Sequence, residues 1–143
     1  MPDPNVEFPY DVFVSYRQRE PDCSWVRQTL VPGLAGLSVR IFVDYQSFHL
    51  GAPLLKEMER GVVQSRYTLA VLSPEYLTSN FTEIENLMAD HLGLEESRSR
   101  LLAIMLRQCN PGLRFQFRLW LDMTDPTQLQ ANLDRLAVEI RRA

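Results

Sequence analysis

Cysteine and lysine are both scarce in this sequence. Its 143 residues include two cysteines, Cys23 and Cys109, which lie far apart and form no CxxC pair. Two isolated thiols favour a reducing compartment over a disulfide framework or a zinc site. Lys56 is the single lysine beside 14 arginines, a composition that favours a bacterial origin and says little about mechanism.

Long apolar runs and a strong net charge are also absent. No run approaches the roughly 20 residues that a membrane-spanning helix needs. A net charge of −3 gives no general attraction for nucleic acid or anionic lipid. We therefore expect a cytoplasmic protein that binds neither nucleic acid nor membrane. His49 and His91 have no cysteine or carboxylate at ligand spacing, so we expect no metal site.

Glycine motifs that bind phosphate are missing as well. No GxGxxG follows the first predicted strand, and GxxxxGK[ST] occurs nowhere. The residues after that strand, 15–19 (SYRQR), include no glycine that would let a pyrophosphate approach the backbone. An ordinary Rossmann dehydrogenase or P-loop enzyme therefore does not fit. Ser15 and Ser73 lack a Gly-x-Ser-x-Gly setting, so a serine nucleophile is unsupported.

Short apolar segments alternate with helical patterns along the whole chain. Segments rich in β-formers predict strands at 10–15, 39–43, 67–72, 101–106 and 117–121. Helical spacing predicts helices at about 24–34, 53–64, 80–92 and 127–142. Pro32 should end or distort the first helix, and Ser79 should cap the third. The charged stretch 95–100 and the segment 108–116 are predicted to be loops.

This alternation predicts an α/β fold built on a parallel sheet. We expect a flavodoxin-like five-stranded sheet of order 2-1-3-4-5 with helices on both faces. Loops at the carboxyl ends of such strands form the natural ligand crevice. We expect a single domain over residues 1–143, with its core at about 8–142.

Four segments carry a resemblance to a known family. They are 10–16 (YDVFVSY), 42–44 with 51–54 (FVD and GAPL), 65–74 (SRYTLAVLSP) and 79–85 (SNFTEIE). In this order and spacing they resemble the TIR (Toll/interleukin receptor) domain family, over about residues 8–142. The resemblance implies the same fold as the strand–helix alternation. It also implies either of two functions, because TIR domains divide between scaffolding modules and enzymes that cleave NAD.

The resemblance implies that Glu85 is the catalytic residue. Enzymatic TIR domains resemble one another in a WxxxE pattern, and the matching residues here are Phe81 and Glu85, with phenylalanine in place of tryptophan. Helix geometry puts Glu85 at the border of an apolar face, while Glu83 falls nearly opposite, toward solvent. Spacing alone favours a border carboxylate paired with a nearby arginine, and it is the family resemblance that favours the catalytic role.

The chemistry is compatible with a single carboxylate. Cleavage of the nicotinamide–ribose bond builds positive charge on the ribose, as in glycoside hydrolysis. Nicotinamide leaves without protonation, so one carboxylate can orient the ribose hydroxyls and stabilise the cation.

Five further residues are expected to bind the substrate. Arginine suits phosphate because its fork binds two oxygens at once. Each residue has a structural alternative: Tyr16 and Arg17 as surface residues, Asp44 as an Asx-turn residue, Phe48 as a contact to a partner subunit, and Phe81 as part of an apolar helix face.

The resemblance therefore implies an NAD glycohydrolase of immune or antiphage-type defence. Its products are nicotinamide and ADP-ribose or a cyclic isomer, and NAD is expected as substrate with no bound cofactor. The resemblance implies self-association with other TIR domains through the BB loop, from Asp44 to Pro53. The alternatives are a non-catalytic interaction module that recruits other TIR domains, and a base-exchange or nucleotide-hydrolysing relative that uses the same crevice.

Overall fold

The fold is known from a computed structural model that describes residues 8–111 and 120–141. The strands are β1 (Tyr10–Ser15), β2 (Ile41–Phe42), β3 (Ser65–Leu72), β4 (Leu101–Met105) and β5 (Leu121–Asp122). The helices are α1 (Asp22–Trp25), α2 (Val31–Ala35), α3 (Asp44–Ser47), α4 (Leu54–Gln64), α5 (Pro74–Ser79), α6 (Phe81–Leu92), α7 (Leu94–Ser99) and α8 (Leu129–Arg141). A π-helical turn, Val26–Leu30, joins α1 to α2, and a 3-10 turn, Pro126–Gln128, precedes α8.

The strands form one parallel sheet in the order β2-β1-β3-β4-β5. β1 lies between β2 and β3, so that Val12 pairs with Ile41 on one side and with Tyr67 on the other. The predicted fold class and strand order are confirmed. The order reverses between β1 and β3, and ligands of such sheets bind outside the carboxyl ends of the strands at this point.

Successive residues of the central strands face two different cores. On β1, Val12 and Val14 pack with residues of α2 and α8, whereas Phe13 packs with residues of α4 and α6. On β3, Leu69 belongs to the first core and Ala70 to the second. Side chains of a strand alternate between its faces, so a sheet covered on both sides needs apolar residues at consecutive positions.

Helix α4 lies against β1 at a glycine. A Cβ added to Gly61 would lie 2.9 Å from Cγ of Phe13, which is closer than real Cβ contacts. Both residues are buried. The helix reaches this close to the strand because position 61 carries no side chain.

Pro32 distorts the first helical region without ending it. The chain stays helical from Asp22 to Ala35 through α1, the π turn and α2. At the end of the π turn, the Val31 N–H donates to Val26 O, five residues back instead of four. The distortion expected from Pro32 is therefore confirmed, while the end predicted at about residue 34 is one residue early.

The predicted cap at Ser79 is wrong. Ser79 is the last residue of α5, a helix that the sequence patterns did not predict, and Asn80 precedes α6 without a side-chain cap bond. Ser73 is the capping serine instead, because its Oγ accepts from the Tyr76 N–H at 3.2 Å.

The predicted loop at 95–100 is wrong as well, because Leu94–Ser99 is helical. Glu95 and Glu96 lie in its first turn, where the helix dipole favours negative charge. The sequence predicts the fifth strand at 117–121; residues 117–119 lie outside the described part of the chain, and β5 is Leu121–Asp122. Across residues 8–111 and 120–141, no helix is long and apolar enough to cross a membrane.

Candidate functional site

A crevice opens at the carboxyl ends of β1 and β2. Its volume is about 480 Å³, within the range of roughly 300–1,000 Å³ that is typical of small-molecule sites. One wall is the loop from β1 to α1, a second is the junction of α5 and α6, and a third is the chain after β2 with the start of α4. Six polar or aromatic residues on these walls matter for the chemistry: Tyr16, Arg17, Arg19, Asp44, Phe48 and Glu83.

Tyr16 and Asp44 bind each other across the crevice. The Tyr16 hydroxyl donates to Asp44 Oδ1 at 2.6 Å, and Gln18 Nε2 donates to Asp44 Oδ2 at 2.7 Å. Burial and the carboxylate of Asp44 raise the pKa of the Tyr16 phenol far above its ordinary value, although Arg27 works against this rise. The phenol therefore remains a donor at every physiological pH. Each oxygen of Asp44 thus accepts a hydrogen bond from the loop between β1 and α1, here called the first loop, and Asp44 joins that loop to the BB loop.

The two arginines of the first loop are more accessible than Tyr16. Arg17 is half-buried and Arg19 is exposed, and both line the crevice. A guanidinium carries five N–H donors in a planar fork, which suits phosphate oxygens.

Phe48 packs into an aromatic cluster beside the crevice. Its ring centroid lies 6.4 Å from that of Phe13 and 5.8 Å from that of Phe42. The residue is half-buried and lines the cavity, so its ring is part of a wall and does not project from the loop.

The two glutamates of α6 lie beside different cavities. Glu83 is exposed and lines the crevice together with Arg17 and Asp44. Glu85 is half-buried and lines a second cavity of about 400 Å³ between α6, α7 and β4, as does Phe81, which is fully buried. The structure thus brings Tyr16, Arg17, Asp44 and Phe48 together and places Phe81 and Glu85 at a neighbouring cavity.

Tyr76 lies between Phe81 of α6 and Ser15 at the floor of the crevice. Its side chain is fully buried and packs edge-on against Phe81, with ring centroids 6.1 Å apart. Its hydroxyl forms a 2.8 Å hydrogen bond with Oγ of Ser15, which lines the crevice. Burial raises the pKa of Tyr76, the bond with Ser15 opposes the rise, and the charge of Glu85 adds to it. Tyr76 thus packs against Phe81 of α6 on one side and is bonded to Ser15 of the crevice on the other.

Asp22 fixes the far end of the first loop. It is fully buried, and its Oδ2 accepts from Ser73 Oγ at 2.6 Å. Its Oδ1 accepts from Arg107 Nε at 3.1 Å, and Arg107 also donates to Glu75. Ser73 follows β3 and Arg107 follows β4, so this buried network joins three loops at the same edge of the sheet. Removal of the Arg107 guanidinium would leave the Asp22 carboxylate buried without its charged partner.

The BB loop is partly helical and has an exposed tip. Asp44 to Ser47 form α3, so Asp44 begins a helix here. Leu50 is fully exposed at 103%, and Gly51 has a φ of 81°, a backbone conformation that glycine adopts without strain. Leu54 and Leu55 beyond the loop are also exposed.

We expect Tyr16→Phe to lower the free energy of unfolding by about 1.5 kcal/mol, the typical worth of a hydrogen bond to a charged group. Asp44 keeps its bond from Gln18, so the loss should not be larger. Urea unfolding of both proteins measures the difference. Tyr45→Phe is the matched control, since this neighbouring tyrosine is 40% exposed. Equal losses in the two variants would contradict a special role for the Tyr16–Asp44 bond.

Several residues of the site lie outside the sequence predictions. Gln18 and Glu83 line the crevice, and Asp22 anchors its loop from a distance. Gln18 lies in the same loop as Tyr16, and Asp22 begins the helix after that loop, so their position after the first strand could have pointed to them. The spacing of residues 22, 73 and 107 in the sequence does not predict that their side chains are in contact.

Comparison with known proteins identifies the family. A family model described as the TIR domain matches residues 12–137. The chain belongs to the TIR domain family. Its TIR fold is also that of the TIR domain of the Toll-related receptor TRR-2 from Hydra magnipapillata. That structure superposes with a TM-score of 0.74 at 22% identity, over 93% of this chain and 99% of that one.

Two curated relatives of this TIR domain have different names and lengths. Toll-like receptor 6 of Bos taurus is 28% identical over 97 residues, which are 68% of this chain and 12% of the receptor. A protein of Brucella melitensis biotype 1, named as a probable 2′ cyclic ADP-D-ribose synthase, TcpB, is 27% identical over 97 residues. These are 66% of this chain and 37% of that protein. This TIR domain therefore spans a minor part of the curated relatives that it matches.

Proposed function

We propose that this TIR domain cleaves NAD into nicotinamide and ADP-ribose, or a cyclic isomer of ADP-ribose, in defence signalling. The observation that carries the proposal is the composition of the crevice. Arg17 and Arg19 line it together with the carboxylate of Glu83 and the ring of Phe48. A dinucleotide offers the matching groups, namely two phosphates, two ribose diols and two flat bases.

In this proposal the first loop binds the phosphates and the aromatic wall binds a base. Arg17 and Arg19 donate to phosphate oxygens, and Phe48 offers a flat apolar surface. The Tyr16 hydroxyl and the Asp44 carboxylate are already bonded to each other, so in this proposal they do not bind the substrate. Their hydrogen bond holds the β1–α1 loop at a fixed distance from the BB loop.

The reacting bond joins ribose C1′ to the nicotinamide nitrogen. When it breaks, its electron pair goes to nicotinamide, which leaves neutral, and the positive charge moves to the ribose. Water then adds at C1′ and loses a proton to solvent, giving ADP-ribose; capture by an adenine nitrogen gives the cyclic isomer. We assign the stabilising carboxylate to Glu85, as the TIR pattern implies. Glu85 lines the second cavity, on the same helix as Phe81, and Phe81 packs against Tyr76, whose hydroxyl is bonded to Ser15 of the crevice.

We also propose that self-association through the BB loop completes the active species. The support is the exposure of Leu50, Leu54 and Leu55 at and beyond the loop tip, since an exposed apolar patch marks a contact surface. The same exposure favours a second candidate function, a non-catalytic module that recruits other TIR domains.

We expect nicotinamide release from NAD to rise more steeply than in proportion to protein concentration. If copies must associate, the active fraction grows with concentration by mass action. Chromatographic assay of nicotinamide over a hundredfold range of protein, with light scattering on the same samples, tests this. Leu50→Ser, at the fully exposed tip, should restore proportionality and lower the rate. Absence of release from protein that scattering shows to be associated would overturn the enzyme and favour the recruiting module.

A further inference from the structure

An ion pair of α4 binds the backbone of the BB loop at Ser47 and His49. Glu57 lies in the first turn of this helix and is buried, at 5% exposed. Its Oε1 accepts from the backbone N–H of His49, and its Oε2 accepts from Arg60 Nε at 2.9 Å. Arg60 Nη2 donates to the backbone oxygen of Ser47 at 2.6 Å. One buried carboxylate and one guanidinium thus bind both sides of Phe48.

Further contacts stabilise the Glu57–Arg60 pair and keep Glu57 ionised. The Arg60 guanidinium lies 4.7 Å from the ring centroid of Phe42, the residue that ends β2 and packs against Phe48. The bond from Arg60 and the bond from the His49 amide hold the pKa of Glu57 below its usual range. The carboxylate is therefore ionised at neutral pH and keeps its role as a charged acceptor.

We propose that Glu57 and Arg60 are positioning residues that fix Phe48 as a wall of the crevice and so determine how tightly the crevice binds its nucleotide substrate. The contacts with Ser47 and His49 leave Phe48 little freedom, because the backbone on each side of it is bound. Beyond His49 the chain carries the exposed tip. The pair therefore separates a fixed half of the loop, which serves the crevice, from an exposed half. The link to substrate binding rests on the proposed NAD-cleaving function.

The test compares Arg60→Met with Lys56→Met. Lys56 also forms an i,i+3 ion pair on α4, with Glu59 at 3.7 Å, but it is exposed and makes no contact with the BB loop among the ion pairs and hydrogen bonds of the described residues. The two variants remove the same charge from the same helix. We expect the KM for NAD to rise about tenfold in Arg60→Met with kcat changed less than about twofold. We expect no change in Lys56→Met.

A second readout does not depend on catalysis. Deuterium exchange of the peptide spanning residues 45–53 should be faster in Arg60→Met. The Ser47 carbonyl loses its donor, and Glu57, which accepts from the His49 amide, loses the guanidinium that positions it. Arg60→Lys should be intermediate, since an ammonium cannot reach Glu57 and the Ser47 carbonyl with a fixed fork.

The outcomes separate this proposal from the proposed function. A wild-type chain that releases no nicotinamide overturns the enzyme. Equal exchange in Arg60→Met and Lys56→Met overturns the positioning of the loop, whatever the activity. Faster exchange with an unchanged KM shows that the crevice does not depend on the loop, and it also overturns the proposal.

Discussion

Glu85→Gln is expected to lower kcat for nicotinamide release by about a hundredfold or more, the usual cost of removing one group that stabilises transition-state charge. The substitution keeps the shape of the side chain and removes its charge. An uncharged amide at this position would no longer stabilise positive charge on the ribose. Steady-state rates at saturating NAD, with protein held at an associated concentration, give the comparison.

Glu83→Gln is the matched control for this experiment. It makes the same chemical change two residues away on α6, at a carboxylate that lines the crevice directly. We expect its kcat to fall less than about tenfold, since loss of a binding contact acts mainly on KM. The reverse result would move the catalytic carboxylate to Glu83. Little change in either variant would contradict a carboxylate mechanism on this helix.

Arg107→Met is expected to lower the free energy of unfolding by about 2 kcal/mol, below the roughly 3–5 kcal/mol measured when a fully buried pair loses one partner. The carboxylate of Asp22, at 0% exposed, would lose its guanidinium partner and keep, among the described residues, only the hydrogen bond from Ser73. Arg107 is 33% exposed, and water can partly replace its guanidinium. This is why we expect the smaller value. Urea unfolding at pH 7 measures it.

Two further variants test the same network. Glu75→Gln removes the other carboxylate bound by Arg107. The side chain of Glu75 is 43% exposed, so its loss should cost much less. The double variant Asp22→Asn with Arg107→Met removes both charges and should recover part of the stability lost in Arg107→Met. If the double variant is the less stable of the two, the unpaired carboxylate is not the cause.

The strand pattern could be predicted from the sequence because it repeats at neighbouring positions. Consecutive apolar residues such as Val12, Phe13 and Val14 require a sheet that is covered on both faces, and the structure has one. Strand order followed from alternation with helices and from the TIR resemblance. The helix at 94–99 was missed because its charged residues, including Glu95 and Glu96, also suit a loop.

The crevice could be predicted only in part, because its contacts join residues that are far apart in the sequence. Tyr16 and Arg17 follow a predicted strand, so their place at its carboxyl end could be deduced. The mutual bond of Tyr16 and Asp44 joins residues 28 positions apart, and the sequence contains no sign of it. The cavity beside each glutamate of α6 depends on how that helix is rotated against Tyr76. Side-chain packing between distant segments sets this rotation, and helical periodicity alone does not.

The contact of Gly61 with Phe13 makes the packing of the core and the shape of the crevice depend on the same residue during evolution. Phe13 belongs to the core and also lines the crevice. A side chain at position 61 would push against its ring, so α4, the ring or both would have to shift. A lineage of this domain could therefore not exchange that glycine as a neutral packing change. Each replacement would alter the pocket as well, and the two positions should vary together or remain constant together.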